Sequence, residues 1–219
     1  MIGLFVTAPV ACFRKGFARE YWETEDLPPP ATCYGFLLSL VGETDRRRHL
    51  AARVSPGLLG SDAAVEMPRR PDRSTVLRTL WRVKNKELGH STNSRPDFQE
   101  LLTDVRLAIW LDSSGEAGSG QTLETRVATA LDAPRGVDRF GGLSLGESTH
   151  LVDEVRRLRP GDGGVVWSYL TADRGRLSLP VWVDHVGSAG TRYASGELVR
   201  RLDVAAPPPL DRMPVIAPT

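Results

Sequence analysis

The order of its apolar segments is the feature that most constrains how this 219-residue chain can fold. The chain opens on a β-branched run, and residues 104–112 place alternate apolar side chains on one face, the pattern of a half-buried strand. Two other segments carry apolar residues at helical spacing. In chain order the sequence predicts a strand over 2–8, a helix over 30–42, strands over 75–85 and 104–112, a helix over 121–133 and a strand over 149–158.

A β-α-β-β-α-β order is that of the split βαβ, ferredoxin-like arrangement of RNA-recognition folds, so the sequence predicts an α+β fold. Residues 56–74 are predicted to be an irregular linker, residues 84–103 a polar excursion, and residues 43–53 a second, exposed helix. Beyond residue 158 a β-hairpin and an extended proline-rich tail are expected. The predicted division is a domain over 1–158 and a C-terminal β-rich region over 159–219.

Composition excludes several classes of protein. The net charge of +1 rules out a uniformly basic coat, so a nucleic-acid site would have to come from local clustering. Cys12 and Cys33 are too few for a disulfide framework and lack the spacing of a zinc site, so we expect a reducing cytoplasm and neither metal nor cofactor. No apolar run approaches the roughly 18 residues of a membrane span, and the first run lacks the positive flank of a signal peptide.

One short motif, Gly142-Leu-Ser144-Leu-Gly146, has the G-x-S-x-G pattern of a hydrolase nucleophile elbow. An elbow requires a buried strand before the glycine, whereas the preceding residues LDAPRGVDRF are polar and contain a proline. The sequence therefore argues against a hydrolase. Glycines here allow backbone amides to approach phosphate oxygens, with Arg135 and Arg139 beside them; the alternative is a plain mobile connection.

Positive charge is concentrated in one segment. From Arg69 to Arg95, eight basic residues stand against Asp72 and Glu87, which gives a local charge of +6. Such a concentration fits a surface that follows a phosphate backbone, and the alternative is a hairpin whose charges only keep it soluble.

A loop near the start of the chain combines cations with aromatic residues, as proteins do to stack unpaired bases and hold their backbone. Its members are Arg14, Lys15, Arg19, Tyr21 and Trp22. The alternative is that the two aromatic residues anchor the core.

Among the histidines, His90 has the neighbourhood that best suits chemistry, because Lys84 and Lys86 precede it closely. A histidine near lysines can act as general acid and base in metal-independent RNA cleavage, with the lysines stabilising the phosphorane. The alternative is a phosphate or base contact. His49 is expected to be a solvated residue of the second helix.

Taken in combination, four stretches resemble the Cas-five family, the crRNA 5′-handle-binding subunits of type I CRISPR Cascade complexes, and most of all its myxobacterial and type I-B branch. The stretches are FRKGFAREYWET, LPPPATCYGFLLSLVGE, NSRPDFQELLTDVRLAIWLD and DRFGGLSLGESTH. The resemblance implies a ferredoxin-like (RRM-like, RAMP) domain with an inserted thumb hairpin and a glycine-rich loop. It also implies a subunit that caps the crRNA 5′ handle, contacts the Cas-seven backbone subunit and the large subunit, and meets target DNA through the assembled complex.

Carried onto this sequence, the resemblance assigns three groups of RNA-binding residues. They are the first loop (Arg14, Lys15, Arg19, Tyr21), the thumb (Lys84, Lys86, His90, Arg95) and the glycine loop (Arg139, Phe140, Gly141, Gly142, Ser144).

One subtype of the family cleaves precursor crRNA with a tyrosine, a lysine and a histidine. Here Lys84, Lys86 and His90, with Tyr21 or Tyr34, are the matching residue types, but no Lys-His pair is adjacent. Similar branches leave processing to a separate Cas-six nuclease. We therefore expect a non-catalytic RNA-binding subunit, with a precursor-processing endoribonuclease as the alternative.

Overall fold

The computed structural model describes residues 1–16, 21–68, 70–81, 87, 89–186 and 188–218. Within these ranges the chain forms eleven β-strands and two α-helices. They are β1 (Ile2–Ala11), β2 (Phe13–Arg14), β3 (Tyr21–Trp22), β4 (Thr24–Glu25), α1 (Pro30–Leu40), β5 (Arg53–Gly60), β6 (Asp72–Trp81), β7 (Ser94–Asp112), α2 (Leu123–Asp132), β8 (Glu154–Arg157), β9 (Val165–Thr171), β10 (Leu177–Trp182) and β11 (Arg192–Arg201). Neither described helix has the length or the apolar run that crossing a bilayer would need.

One large sheet holds most of the strands, and the α+β class predicted from the sequence is confirmed. The strand order of this sheet is β10-β11-β9-β5-β7-β1-β8, and each neighbouring pair is antiparallel. Strand β7 lies between β1 and β5, and β1 lies between β7 and β8. The units β1-α1-β5 and β7-α2-β8 are therefore interleaved, with a strand of each unit inserted between the two strands of the other.

The hydrophobic core lies between the sheet and the two helices. Alternate side chains of β1 and β7, such as Leu4 and Leu107, are buried in one cluster with Leu37 of α1 and Val127 of α2. Helix α1 begins at Pro30, whose fixed φ suits a first helical turn. Because alternate side chains of a strand face opposite sides, the periodicity of β1 and β7 places the helices on one face of the sheet.

The prediction of a linker over 56–74 is wrong at both ends, because residues 56–60 belong to β5 and residues 72–74 to β6. Strand β5 is central, between β7 and β9. A Cβ atom at Gly57 would lie 2.6 Å from a methyl carbon of Val166 on β9, so glycine is needed for the strands to approach. Pro56 lies just before the residues that pair with β9. The proline and glycine that suggested an irregular linker thus belong to a strand, where glycine is needed for close pairing with β9.

Strand β7 is 19 residues long, and its first half pairs with β6 from Asp72↔Thr103 to Trp81↔Ser94. We call β6 together with residues 94–103 the hairpin. Residues 94–103, predicted as part of the polar excursion, are thus strand. The polar Asp97 and Gln99 are buried while Phe98 is 51% exposed, which inverts the usual hydrophobic pattern of a strand.

The C-terminal region extends the same sheet, because β9 pairs with β5 and β11 pairs with β9 and β10. The tail contains a short 3-10 turn at Leu210–Arg212 and is otherwise without helix as far as residue 218. Ile216 exchanges backbone hydrogen bonds with residues 51 and 52 at 2.9 and 2.8 Å. Its side chain is fully buried in the main core. The prediction of a second helix over 43–53 is wrong, because residues 43–52 form turns and irregular structure and Arg53 begins β5.

Asp104 carries backbone strain, since its φ of 50° is rare for a residue with a side chain. We expect Asp104→Gly to raise the free energy of unfolding by about 0.5 kcal/mol, because relief of strain exceeds the entropy that glycine adds to the unfolded chain. Urea denaturation measures the change. Asp104→Ala, which retains the strain, serves as the control, and a glycine variant less stable than the alanine variant would contradict the assignment.

Candidate nucleic-acid interface

Three segments meet about halfway along the hairpin. The first loop (residues 12–25) reaches it through β3, which pairs in parallel with β7 at Tyr21↔Phe98 and Trp22↔Gln99. The glycine loop (residues 138–153) reaches it through Glu147, which contacts Arg78 of β6. Three segments that the sequence analysis associated with RNA are therefore brought together.

A closed set of hydrogen bonds joins the glycine loop to the hairpin. Arg78 Nη1 donates to Glu147 Oε2 at 2.7 Å, and Gln99 Nε2 donates to Glu147 Oε1 at 2.9 Å. Arg78 also donates to Gln99 Oε1. We call these three side chains the Glu147 ring. Sequence analysis did not assign Glu147, Gln99 or Arg78 individually, although Arg78 belongs to the basic segment.

An arginine lies over the indole of Trp22 in the first loop. The Arg14 guanidinium carbon is 3.9 Å from the ring centroid, and that of Arg78 is 5.9 Å away. This geometry is that of cation–π contacts, which hold a guanidinium without neutralising it. Among the described residues no carboxylate forms an ion pair with Arg14, so its exposed charge is available to an anion.

Tyr21 is not a core anchor, because its side chain is 43% exposed. Its hydroxyl donates to Glu100 Oε1 and also lies within hydrogen-bond distance of Thr75 Oγ1, both at 3.2 Å, which fixes the ring against the hairpin. Lys15 forms an ion pair with Glu23 at 3.5 Å. Arg19, assigned to the same loop, lies outside the described residues.

Within the glycine loop, residues 143–152 form a small backbone hairpin. The N–H of Leu145 donates to the His150 carbonyl at 3.0 Å, and the N–H of Val152 to the Leu143 carbonyl at 2.9 Å. Gly146 has a φ of 91°, and a Cβ atom there would lie 2.4 Å from the Cys12 carbonyl oxygen. This glycine therefore permits close packing on the end of β1, not on a ligand.

The N-terminal part of the glycine loop, residues 139–142, has free space around it. Phe140 is 98% exposed, and Gly141, with a φ of 70°, has space around it in which a Cβ would meet no atom within 4 Å. Gly142 lies beside the Leu151 side chain, and Arg139 next to Phe140 is half-buried. Residues 139–142 are thus the part of the loop that a ligand can approach.

Ser144 does not have the setting of a nucleophile. Its backbone forms an isolated bridge with Leu151, and turns follow it where an elbow has a helix. His150 is 9% exposed, and burial lowers the pKa of its imidazole. Within the described ranges, no group of three or more His, Cys, Asp or Glu side chains is arranged to bind a metal ion.

Part of the charge of the basic segment is neutralised from outside it. Arg73 forms ion pairs with both Asp26 and Glu100, Arg70 with Asp26, and Arg78 with Glu147. These partner acids are Asp26, just after the first loop, Glu100 of β7 and Glu147 of the glycine loop. The segment's count of +6 therefore overstates the charge that it presents. Lys84 and Lys86 lie outside the described residues, as does the side chain of Arg95.

His90 lies in the turn at the tip of the hairpin. Its Nδ1 accepts a hydrogen bond from the backbone N–H of Thr92 at 3.3 Å and lies 2.8 Å from the Thr92 hydroxyl. The imidazole is therefore part of a local turn. Tyr34, in contrast, is 1% exposed and donates its hydroxyl hydrogen bond to the Arg46 carbonyl.

Comparison with known proteins identifies the family. No protein-family model matches the chain. The chain is similar in fold to a chain of a "CRISPR RNA-guided surveillance complex", with a TM-score of 0.55 and 13% identity over 90% of this chain and 89% of that one. A structure described as "Crystal structure of Cas protein" superposes with a TM-score of 0.49 at 13% identity, covering 93% and 95%. The chain is 52% identical to "CRISPR-associated protein Cas5" of Myxococcus xanthus (strain DK1622), over 99% of its own length and 97% of the relative's. The chain therefore belongs to the CRISPR-associated Cas5 family.

Proposed function

We propose that this protein is an RNA-binding structural subunit of a type I CRISPR Cascade effector and caps the 5′ handle of the crRNA. The observation that carries the proposal is the convergence of the first loop, the hairpin and the glycine loop. The first loop exposes Arg14, and the glycine loop exposes Phe140. An exposed guanidinium and an exposed aromatic ring are the groups with which proteins hold a phosphate and stack an unpaired base. The Cas5 relative and the fold shared with a chain of a surveillance complex support the assignment.

The fold proposed for this role is a ferredoxin-like domain with the hairpin as its thumb. Interleaved βαβ units with the order β8-β1-β7-β5 support it, because the split βαβ arrangement is that of RNA-recognition domains. The partners proposed with it are the Cas-seven backbone subunit, the large subunit and, through the complex, target DNA. An exposed apolar row on the outer face of the hairpin, Leu77 opposite Phe98, supports a protein contact there.

We further propose that the subunit is not catalytic. Tyr34 is buried in the core, so it is unable to reach RNA. The Tyr21 hydroxyl donates to Glu100, whereas His90 lies beyond Ser94, and strand β7 extends about 20 Å from Glu100 to Ser94. A tyrosine and a histidine that act on one phosphate must both bring their reactive atoms within hydrogen-bond reach of it.

Binding tests the proposal directly. We expect the protein to bind RNA of its CRISPR repeat, with an affinity that falls steeply as salt increases. Arg14→Ala and Phe140→Ala should each weaken binding about tenfold, the loss expected for one phosphate or stacking contact. Fluorescence anisotropy measures the affinity. The control is Arg192→Ala, which removes a positive charge from distant β11, and unchanged affinity in both test variants would remove this surface from the site.

Cleavage of the same RNA tests the alternative. Incubated in EDTA with the repeat RNA, the wild-type protein should leave the RNA intact. A specific cut at the handle boundary that disappears in His90→Ala would instead establish a processing endoribonuclease.

A further inference from the structure

The hydrogen bonds of the Glu147 ring determine which type of side chain can occupy position 147. An arginine only donates hydrogen bonds, so the group of Gln99 that faces Arg78 must be its carbonyl oxygen. The amide nitrogen of Gln99 is then left to donate to position 147, where Arg78 donates as well. Position 147 must therefore accept at both of its terminal atoms, and a carboxylate does this whereas an amide does not.

Burial makes the ring costly to break. Gln99 is 1% exposed, so its amide depends on partners within the protein and not on water. The Glu147 side chain is 22% exposed and that of Arg78 36%, so the charged groups are partly shielded. A half-satisfied buried polar group is more destabilising than the loss of one surface contact.

The ring also lies where three segments meet. Arg78 belongs to β6, Gln99 to β7 and Glu147 to the glycine loop. Arg78 lies near the Trp22 ring, over which Arg14 is placed. A change at position 147 is thus transmitted to the hairpin and to the first loop through contacts of a few ångströms.

We propose that Glu147 is a positioning residue that fixes the glycine loop against the hairpin, so that this loop, the hairpin and Arg14 form one preorganised RNA-binding surface. The RNA part of this statement rests on the function proposed above. Glu147 itself contacts no RNA in this scheme; its two oxygens are occupied within the protein.

A reciprocal exchange of side chains tests the ring at constant charge. In Glu147→Gln, two amides and one arginine leave a donor facing a donor, and in Gln99→Glu two carboxylates face each other. In the double variant E147Q/Q99E, the carboxylate on β7 accepts from Arg78 and from the amide at 147, whose oxygen accepts from Arg78. Every bond of the ring is restored, with the partners reversed.

We expect each single variant to bind repeat RNA at least about tenfold more weakly and the double variant to return to within about threefold of wild type. The loss in Glu147→Gln is diagnostic, because removing a negative charge beside bound RNA would by itself strengthen binding. Glu154→Gln, which removes a carboxylate of β8 outside the ring, is the matched control and should not weaken binding.

Hydrogen exchange without RNA gives a second, independent measurement. The amides of Leu145 and Val152 and those of the hairpin should exchange about tenfold faster in both single variants and regain protection in the double variant. If the wild-type protein fails to bind RNA while exchange follows this pattern, the proposed function is wrong and the role of Glu147 stands. Wild-type binding and exchange in Glu147→Gln, or no recovery in the double variant, would overturn the proposal.

Discussion

Replacing Ile216 with alanine is expected to lower the free energy of unfolding by about 3 kcal/mol. The side chain is fully buried in the main core although it lies in the proline-rich tail. Removing it loses apolar burial and leaves a cavity, and such changes in packed cores cost about 2–5 kcal/mol. Urea denaturation followed by circular dichroism measures the difference.

The neighbouring Val215 is a matched control, because it is 40% exposed on the same extended segment. Val215→Ala should change stability by less than about 0.5 kcal/mol. Equal effects of the two substitutions would show that the tail does not complete the core.

Replacing Arg126 with methionine is expected to lower the free energy of unfolding by about 3 kcal/mol, because it leaves buried charged partners unpaired. Arg126 donates to the Glu43 carboxylate, to His49 Nε2 at 3.1 Å and to the Val41 carbonyl at 3.0 Å. His49, 2% exposed, contacts Glu116 at 2.7 Å through its other ring nitrogen. The expectation that His49 is solvated is therefore wrong.

Arg157→Met is the control for Arg126→Met, since Arg157 and its partner Asp132 are exposed and such pairs contribute less than about 1 kcal/mol.

The contribution of Glu43 should depend on pH. Burial alone would raise the pKa of Glu43, but hydrogen bonds from Arg126 and from the Asp45 backbone hold it at about 2, below the ordinary 4.5. Because the folded-state pKa is lowered, this stabilisation is complete above pH 4.5 and is lost as the pH falls toward 2. The difference in stability between wild type and Arg126→Met should accordingly shrink over that range, and a difference that stays constant would contradict the pairing.

Some elements could be predicted from the sequence because their signal is local. The alternation of β7 around Leu107 and Ile109 and the helical spacing of α1 both correspond to observed elements. The strand that follows α1 could not be located from such a local pattern. The sequence predicts it at 75–85, whereas the strand that follows α1 is β5, whose proline and glycines are explained only by the approach of β9.

The candidate site shows the same division. Arg14 and Tyr21 could be selected from residue type, and Phe140 through the family resemblance; all three are exposed in the structure. The Glu147 ring could not, because its members are 21, 48 and 69 residues apart in the chain. Glu147 follows the glycine motif directly, but its partner on β7 lies in a stretch whose polarity predicts a loop.

The pairing of distant segments has a consequence for how the protein is made. Strand β1 is complete after eleven residues, yet its neighbours β7 and β8 are synthesised only at residues 94–112 and 154–157. The core against which the first βαβ unit packs also contains Ile216, which lies far beyond that unit in the sequence. Loop closure over such separations slows folding, so the facing edges of β1 and β5 remain unpaired until β7 has been synthesised. N-terminal fragments that end before β7 are therefore expected to aggregate where the 219-residue chain folds.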